Sequence, residues 1–329
     1  MSNSTGERVL GTGKRTARSF FSLIVVGIAI IPVALFLFSK FGRFLFWAEI
    51  INNFRFQIMC LLVPFPLLLW AAGNRRFALL STVLLAWSVA GVYYVHIPPL
   101  QPPPGERVLR IMSINVFDHN YQVREVRKEI SRKDADVVVV AEYCQHWMHA
   151  LEPLHEDYPF RILEPRWHGF GVAIFSKHPL SDTRIYLLHE ERTDVPFVTT
   201  RVETGNTPIR IGAVHTLSPS NRLRLDLRND QFAEIGRKLN SEDDVPTVLI
   251  GDFNAPPWSP YLKDLCNVAD LRDSRQGFGY QGSWHTTYWM LTVPIDNAFV
   301  SPDIHVHDRY LGRDCGSDHL PLIIEVSTR

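Results

Sequence analysis

Three long runs without a charged side chain fill the first hundred residues, and no other feature of the sequence restricts the fold as much. The first, 21 residues between Arg18 and Lys40, has FFSLIVVGIAIIPVALFLF at its heart. The second is 19 residues between Arg55 and Arg75, and the third runs from Phe77 to Ile97. A helix rises 1.5 Å per residue, so about 20 apolar residues cross a hydrocarbon core of ~30 Å. The expectation is three transmembrane helices, over about 19–39, 56–74 and 77–97. A cleaved signal peptide has a shorter apolar stretch of ~7–15 residues ending in small side chains, unlike the first run. Pro64 and Pro66 would kink the second span, which lipid tolerates where neighbouring groups satisfy the freed carbonyls.

Charge sets the expected orientation. The N-terminal tail has Arg8, Lys14, Arg15 and Arg18, and the loop before the third run has Arg75 and Arg76; the loop between the first two has Lys40, Arg43 and Arg55. The positive-inside rule then places the tail in the cytoplasm and the chain after Ile97 outside it. The intervening FGRFLFWAEIINNF is aromatic enough to lie in the headgroup region. PPLQPPPG follows at 98–105, and such proline density favours an extended spacer, so residues 98–106 are read as a linker.

The chain has 34 basic and 34 acidic residues, yet residues 1–100 hold nine basic against only Glu7 and Glu49. The rest is acidic, which speaks against tight coating of nucleic acid, where Lys and Arg contacts to phosphate dominate affinity. With 46% apolar residues the chain is not disordered. Its four cysteines form no CxxC, which excludes a zinc ribbon or a disulfide miniprotein. Three of them lie in the expected exported domain, so any disulfide there leaves one unpaired.

Residues 107–329 read as an α/β domain. Short β-branched runs recur: VLRIMSI (108–114), DVVVVA (136–141), GVAIF (171–175), IRIGAVH (209–215), TVLIG (247–251), IDNAFV (295–300) and LIIEV (322–326). Amphipathic stretches at about 121–133 and 219–240 alternate with them, and two packed sheets flanked by two or three helices are expected. Polar residues cluster where the strands end: Asn115, Glu142, His215, Asp252 with Asn254 in GDFN, Asp296, and Asp318 with His319 in GSDHLPL. A side chain just past a buried strand is held by the sheet and still meets solvent. Carboxylates and amides without thiolates suit Mg²⁺ or Mn²⁺, and spare carboxylate and imidazole groups suit activation of water. Metal-assisted phosphoester hydrolysis is the fitting reaction class. No GxSxG or P-loop occurs, so serine hydrolases and nucleotide motors have no support.

The ordered series SINVFD, VVVVAEY, GVAIFSKHPL, AVHTLSP, GDFNAPPWSP, PIDNAFVSP and GSDHLPLIIEV resembles the endonuclease/exonuclease/phosphatase superfamily, over roughly 107–327. That superfamily includes DNase I-like nucleases, abasic-site endonucleases, inositol polyphosphate phosphatases and neutral sphingomyelinases. The apolar N-terminus is similar to that of membrane-anchored bacterial members and suits a bacterial inner membrane. The resemblance implies a four-layer α/β sandwich behind the three-helix transmembrane region. It implies that Glu142 binds metal, with Asn115 orienting metal or phosphate and Asp318 a further ligand. Asp252 would activate water, Asn254 hold a phosphoryl oxygen, and His319 contact the scissile phosphate with its tautomer fixed by Asp296. His215 would assist the leaving group. Asn297 departs from the family, where many relatives have His.

Other residues have plainer readings. His285, His305 and His307 are expected at the surface, and Arg222, Arg224 and Arg228 on a solvated helix face. Trp284 and Trp289 fit either a groove or the core. A membrane-attached Mg²⁺- or Mn²⁺-dependent phosphoesterase leads, with the bilayer and a phosphoester as its partners. Nucleic acid and lipid headgroup compete as the source of that phosphoester, and a silent adaptor of the same fold stands as the alternative from another class.

Overall fold

A computed structural model describes residues 4–97, 109–167, 169–189, 191–205 and 207–328. The expected linker at 98–106 lies outside the described residues. The chain divides into two compact units, Met1–Tyr94 and Val95–Arg329.

The first unit is helical: α1 (Ser4–Ser39), α2 (Phe46–Asn52), α3 (Arg55–Leu62), α4 (Phe65–Ala71) and α5 (Arg75–Ala90). Val25 and Ala29 of α1 pack on Phe65, Leu69 and Ala78, and Phe36 packs on Ile58, Leu62 and Leu84. The three expected spans become one. Among the described residues only Phe20–Ser39, with mean hydropathy 2.8, is a single helix long and apolar enough to cross a bilayer, two if a bent pair counts as one span. Pro64 lacks an amide hydrogen and interrupts the α-helical bonding between Leu62 and Phe65, but Arg55–Ala71 runs on as one helix; the 70° bend lies before Arg55, between it and Phe46–Asn52. The third run stops at Ala90 with Gly91 capping it, leaving 16 helical residues, about 24 Å and short of a ~30 Å core.

The second unit is built from two six-stranded mixed sheets. One runs β11-β12-β1-β2-β4-β3, the other β5-β6-β7-β8-β10-β9. The first comprises β1 (Leu109–Asn115), β2 (Val137–Ala141), β3 (Phe160–Glu164), β4 (Val172–Ser176), β11 (Ile304–Leu311) and β12 (Leu322–Thr328). The second comprises β5 (Leu180–Leu188), β6 (Val195–Val202), β7 (Ile209–His215), β8 (Thr247–Asp252), β9 (Arg272–Asp273) and β10 (Asp296–Val300). Each sheet has one parallel pair, β1 with β2 and β7 with β8, and each pair is joined through a helix, α6 (Val123–Lys133) or α8 (Arg222–Asn240). A parallel return needs such a crossover.

Alternation sorts the side chains into layers. Ile111, Val137, Val139, Val248, Ile250 and Ala298 fill the space between the sheets. Met112, Ile114, Val138 and Val140 face outward onto α6 and α7 (Gln145–Ala150), while Val214, Leu249 and Phe299 pack on α8 and α9 (Pro260–Val268). The result is helix, sheet, sheet, helix. Strands covered on both faces read as unbroken apolar runs, which is why VVVVA and TVLIG are legible as strands. All seven expected strands form. The strands not foreseen are β3, β5, β6, β9 and β11: β3, β5 and β11 carry half-exposed, mixed patterns, β6 contains Pro196, and β9 has only two residues.

Candidate active site

The register brings the strand-end residues to one edge. His215 sits opposite Asp252 across the β7–β8 pair, and Asp252 sits opposite Asp296 across β8–β10. On the other sheet Asn115 ends β1 opposite Ala141, with Glu142 next in the chain. Asn115 joins the two sheets: its Nδ2 donates to Glu142 Oε1 and to Asp252 Oδ2, each at 3.0 Å. Its Oδ1 accepts from Phe117 N at 2.9 Å. Expected among the metal ligands, Asn115 thus commits both amide hydrogens to carboxylates and acts geometrically as a cross-link.

Asp252 Oδ2 is the hub. Besides Asn115 it has His215 Nε2 at 3.6 Å and His319 Nε2 at 3.7 Å. The Oδ1 atom accepts from Asn254 N at 2.8 Å. The side-chain amide of Asn254 donates to Thr216 O at 2.9 Å, and its own carbonyl accepts from Arg228 Nη1 at 2.8 Å. Asp296 Oδ2 holds His319 Nδ1 at 2.8 Å. Asp318 turns away from this chain: its Oδ2 accepts from Trp284 Nε1 at 2.9 Å, and its buried Oδ1 has no hydrogen-bond partner and lies 3.9 Å from His319 Nε2. All eight residues expected from the sequence meet at this edge. Asp252, Glu142 and His319, drawn from three distant stretches of chain, line one cavity of about 370 Å³.

Backbone strain marks the same place. Phe117, Glu142 and Asn254 have φ of 57°, 59° and 48°, a left-handed region costing non-glycine residues about 1–2 kcal/mol. Hydrogen bonds offset that cost: Asp118 N donates to Glu142 Oε2 at 2.7 Å, and the Asn115 and Asp252 side chains each accept from the amide two residues on. Gly251, with φ of 149°, lies so near the neighbouring strand that a Cβ would sit 1.9 Å from Val214 O. The glycine of GDFN is therefore required by packing.

Electrostatics separate the two imidazoles. Burial works against charge on His319, but Asp296, Asp252 and Asp318, with the Asp296 hydrogen bond, outweigh it and push the group up to about 10. Burial pushes His215 below its ordinary value despite the nearby Asp252, so it stays neutral, stacked on Phe170 with ring centroids 5.0 Å apart. Burial raises Glu142, against its hydrogen bonds from Asp118 and Asn115. Burial likewise raises Asp252, with His319 pulling the other way.

Asp252, Asp296 and His319 have ligand atoms within 4.8 Å of one another, close enough to surround an ion. A histidine protonated at neutral pH and bonded to Asp296 is a poor ligand, however. The carboxylates of Glu142 and Asp318 fit a hard cation better. They are oxygen donors, one with a buried unpartnered atom, facing cavities whose lining includes Asp118 and Asp252 and no lysine or arginine among the described residues.

Some positions depart from expectation. Arg228 is fully buried, not on a solvated face. It lies three residues after Leu225 and four before Phe232 on the buried stripe of α8, a spacing visible in the sequence. Arg222 pairs with Asp226 at the surface as expected, and Arg224 donates to Ser218 O. His285 lines a second cavity of about 620 Å³ beside the first, with Phe117, Gln122 and Asp318. Trp284 belongs to the site through Asp318. Asp118, present in SINVFD but given no role, borders Glu142.

The sequence matches the model of the Endonuclease/Exonuclease/phosphatase family over residues 112–319. No curated protein matches significantly. Among solved structures, the fold is similar to an endonuclease/exonuclease/phosphatase from Beutenbergia cavernae, at 19% identity and TM-score 0.56, covering 68% of this chain and 72% of that one. D. rerio TDP2 complexed with single strand DNA product gives 18% identity and TM-score 0.58, over 68% and 100%. A family protein from Bacteroides thetaiotaomicron gives 16% and 0.56, over 68% and 99%. With the family model spanning most of the second unit and its motif residues meeting at one sheet edge, the chain belongs to the endonuclease/exonuclease/phosphatase family of phosphoesterase hydrolases.

Proposed function

We propose that the protein is a membrane-attached, divalent-metal-dependent hydrolase of phosphoester bonds. One observation carries the reading: the Asn115 amide ties Glu142 to Asp252 across the two sheets, while Asp252 faces His319 held by Asp296. In this reading Glu142 and Asp318 hold Mg²⁺ or Mn²⁺, and Asn115 fixes the pose of Glu142. The ion supplies charge neutralisation at the phosphoryl oxygen and the leaving oxygen. Asp252, raised by burial, orients a water and accepts its proton. His319, kept protonated, stabilises negative charge on the phosphoryl group, and Asp296 holds its ring with Nε2 turned inward. Asn254 adds an amide to the same oxygens. Neutral His215 turns an N–H toward the leaving oxygen as a hydrogen-bond donor. The helix Phe20–Ser39 supports attachment to a bilayer, with the second unit outside the cytoplasm.

Purified full chain is expected to hydrolyse bis(4-nitrophenyl) phosphate with Mg²⁺ or Mn²⁺ and to stop with EDTA. Asp252→Ala and His319→Ala are each expected to lower kcat/KM at least about 100-fold with circular dichroism unchanged. Turnover that persists in EDTA, or full activity in either variant, defeats the assignment.

A further inference from the structure

Two polar side chains are fully buried on the apolar stripe of α8: Arg228 and, three residues on, Gln231. Residues three apart on a helix share a face, and each of these two fastens a loop that leaves the site. Arg228 Nη1 donates to Asn254 O at 2.8 Å, its Nη2 donates to Asn229 Oδ1 at 2.9 Å, and the guanidinium lies 5.3 Å from the Phe232 ring. Gln231 Oε1 accepts from Leu217 N at 3.0 Å. Asn254 stands two residues after Asp252 at the end of β8, and Leu217 two residues after His215 at the end of β7. One helix thus holds both loops.

The loops are also tied to each other. Asn254 Nδ2 donates to Thr216 O at 2.9 Å, Thr216 Oγ1 to Phe253 O at 2.7 Å, and Thr216 N to Asp252 O at 3.0 Å. Asn254 is held in the left-handed region, with φ of 48°, by a bond at each end of the residue: its N–H on Asp252 Oδ1 and its carbonyl under Arg228. Burying a guanidinium is costly, and an apolar side chain of similar volume often gives an equally stable fold. Stability alone therefore does not call for an arginine between Leu225 and Phe232, whereas the Asn254 carbonyl does. Resting on the phosphoesterase reading above, we infer that Arg228 and Gln231 are positioning residues of the active site. Arg228 fixes the Asn254 amide against Asp252, and Gln231 fixes the loop that follows His215. The bond from the charged guanidinium is the stronger of the two.

Two measurements on the full chain in detergent test this, with bis(4-nitrophenyl) phosphate and Mg²⁺ for turnover. Arg228→Met is expected to lower kcat between about tenfold and 100-fold, as small misplacements of catalytic groups do, and to leave KM within about twofold, because the groups it positions act in the transition state. Gln231→Leu is expected to show the same pattern with a smaller loss, and Arg228→Lys, which keeps a charged donor, to recover part of the rate. Ile235→Ala is the control: it opens a cavity one turn further along the same buried stripe and destabilises the fold, yet is expected to keep kcat within about twofold. A loss in Ile235→Ala equal to that in Arg228→Met, or a change confined to KM, overturns the inference. Amide hydrogen exchange supplies the second reading. Arg228→Met is expected to speed exchange at Asn254 N–H at least about tenfold, the loss of one hydrogen bond from a charged group; unchanged exchange there overturns the inference. Wild type without turnover on any phosphoester defeats the phosphoesterase reading and the catalytic half of this one with it, while exchange at Asn254 separately decides whether Arg228 holds the loop.

Discussion

Asp296 and His319 form the most consequential pair in the molecule, because their contact fixes the charge of a buried imidazole. Burial favours the neutral ring, and the 2.8 Å bond to Asp296 with Asp252 nearby reverses that, raising His319 to about 10. With the folded value above the ordinary 6.5, the pair's stabilisation is complete below pH 6.5 and is lost as pH rises through about 10. In EDTA-treated protein, Asp296→Asn is expected to lower the imidazole midpoint by about a unit or more, read by nitrogen NMR titration, and to remove that alkaline loss of stability. An unmoved midpoint would mean that Asp296 does not set the charge. At this scale the sequence was most legible. Glu142, Asp252 and His319 are where a strand-end reading puts them, because a side chain just past a buried strand has few directions to point. Partners such as Trp284 for Asp318 were not legible, since 34 residues separate them and no periodicity links them.

Among the elements, β8 shows how a motif residue serves packing first. Gly251 has no room for a Cβ, which would lie 1.9 Å from Val214 O on the neighbouring parallel strand, and its φ of 149° disfavours any other residue. Gly251→Ala is expected to destabilise the protein by about 3 kcal/mol and to disturb Asp252, the next residue. Gly279→Ala is the control: its φ is also positive, at 86°, but nothing lies within 4 Å, so only the backbone penalty of about 1 kcal/mol remains. Thermal unfolding of both variants in detergent checks the contrast; equal losses would mean that conformation, not the close approach, matters at Gly251. The same scale explains what was hidden. Central strands buried on both faces are unmistakable, whereas β5 and β11, half exposed, look like loops. The buried Arg228 broke no visible rule except that an arginine stood on an apolar stripe.

For the whole molecule the question is whether the one long apolar helix anchors the chain in a membrane. Uncharged runs suggested three crossings; the second is helical only over Arg55–Ala71 and the third stops at Ala90, leaving Phe20–Ser39, among the described residues, as the one unbroken helix of sufficient length. If that helix is retained as an anchor, the full-length chain stays in the membrane pellet after an alkaline wash, and replacing the outward-facing Ile24, Ile28 and Ile31 together with Asp releases it, at about 2.5–3.5 kcal/mol per charge placed in the bilayer. Recovery of a mature chain beginning after Ser39 would instead make the segment a signal sequence. The sequence by itself determined which polar residues follow the strands and which strands are central, because burial on both faces and the residue that follows leave a local record. Only the tertiary structure decided that the two sheets meet with Asn115 bridging Glu142 and Asp252 and that the second and third apolar runs stop short as helices. These depend on contacts between segments far apart in the chain, and on how each helix end is packed, neither of which any short window of residues encodes.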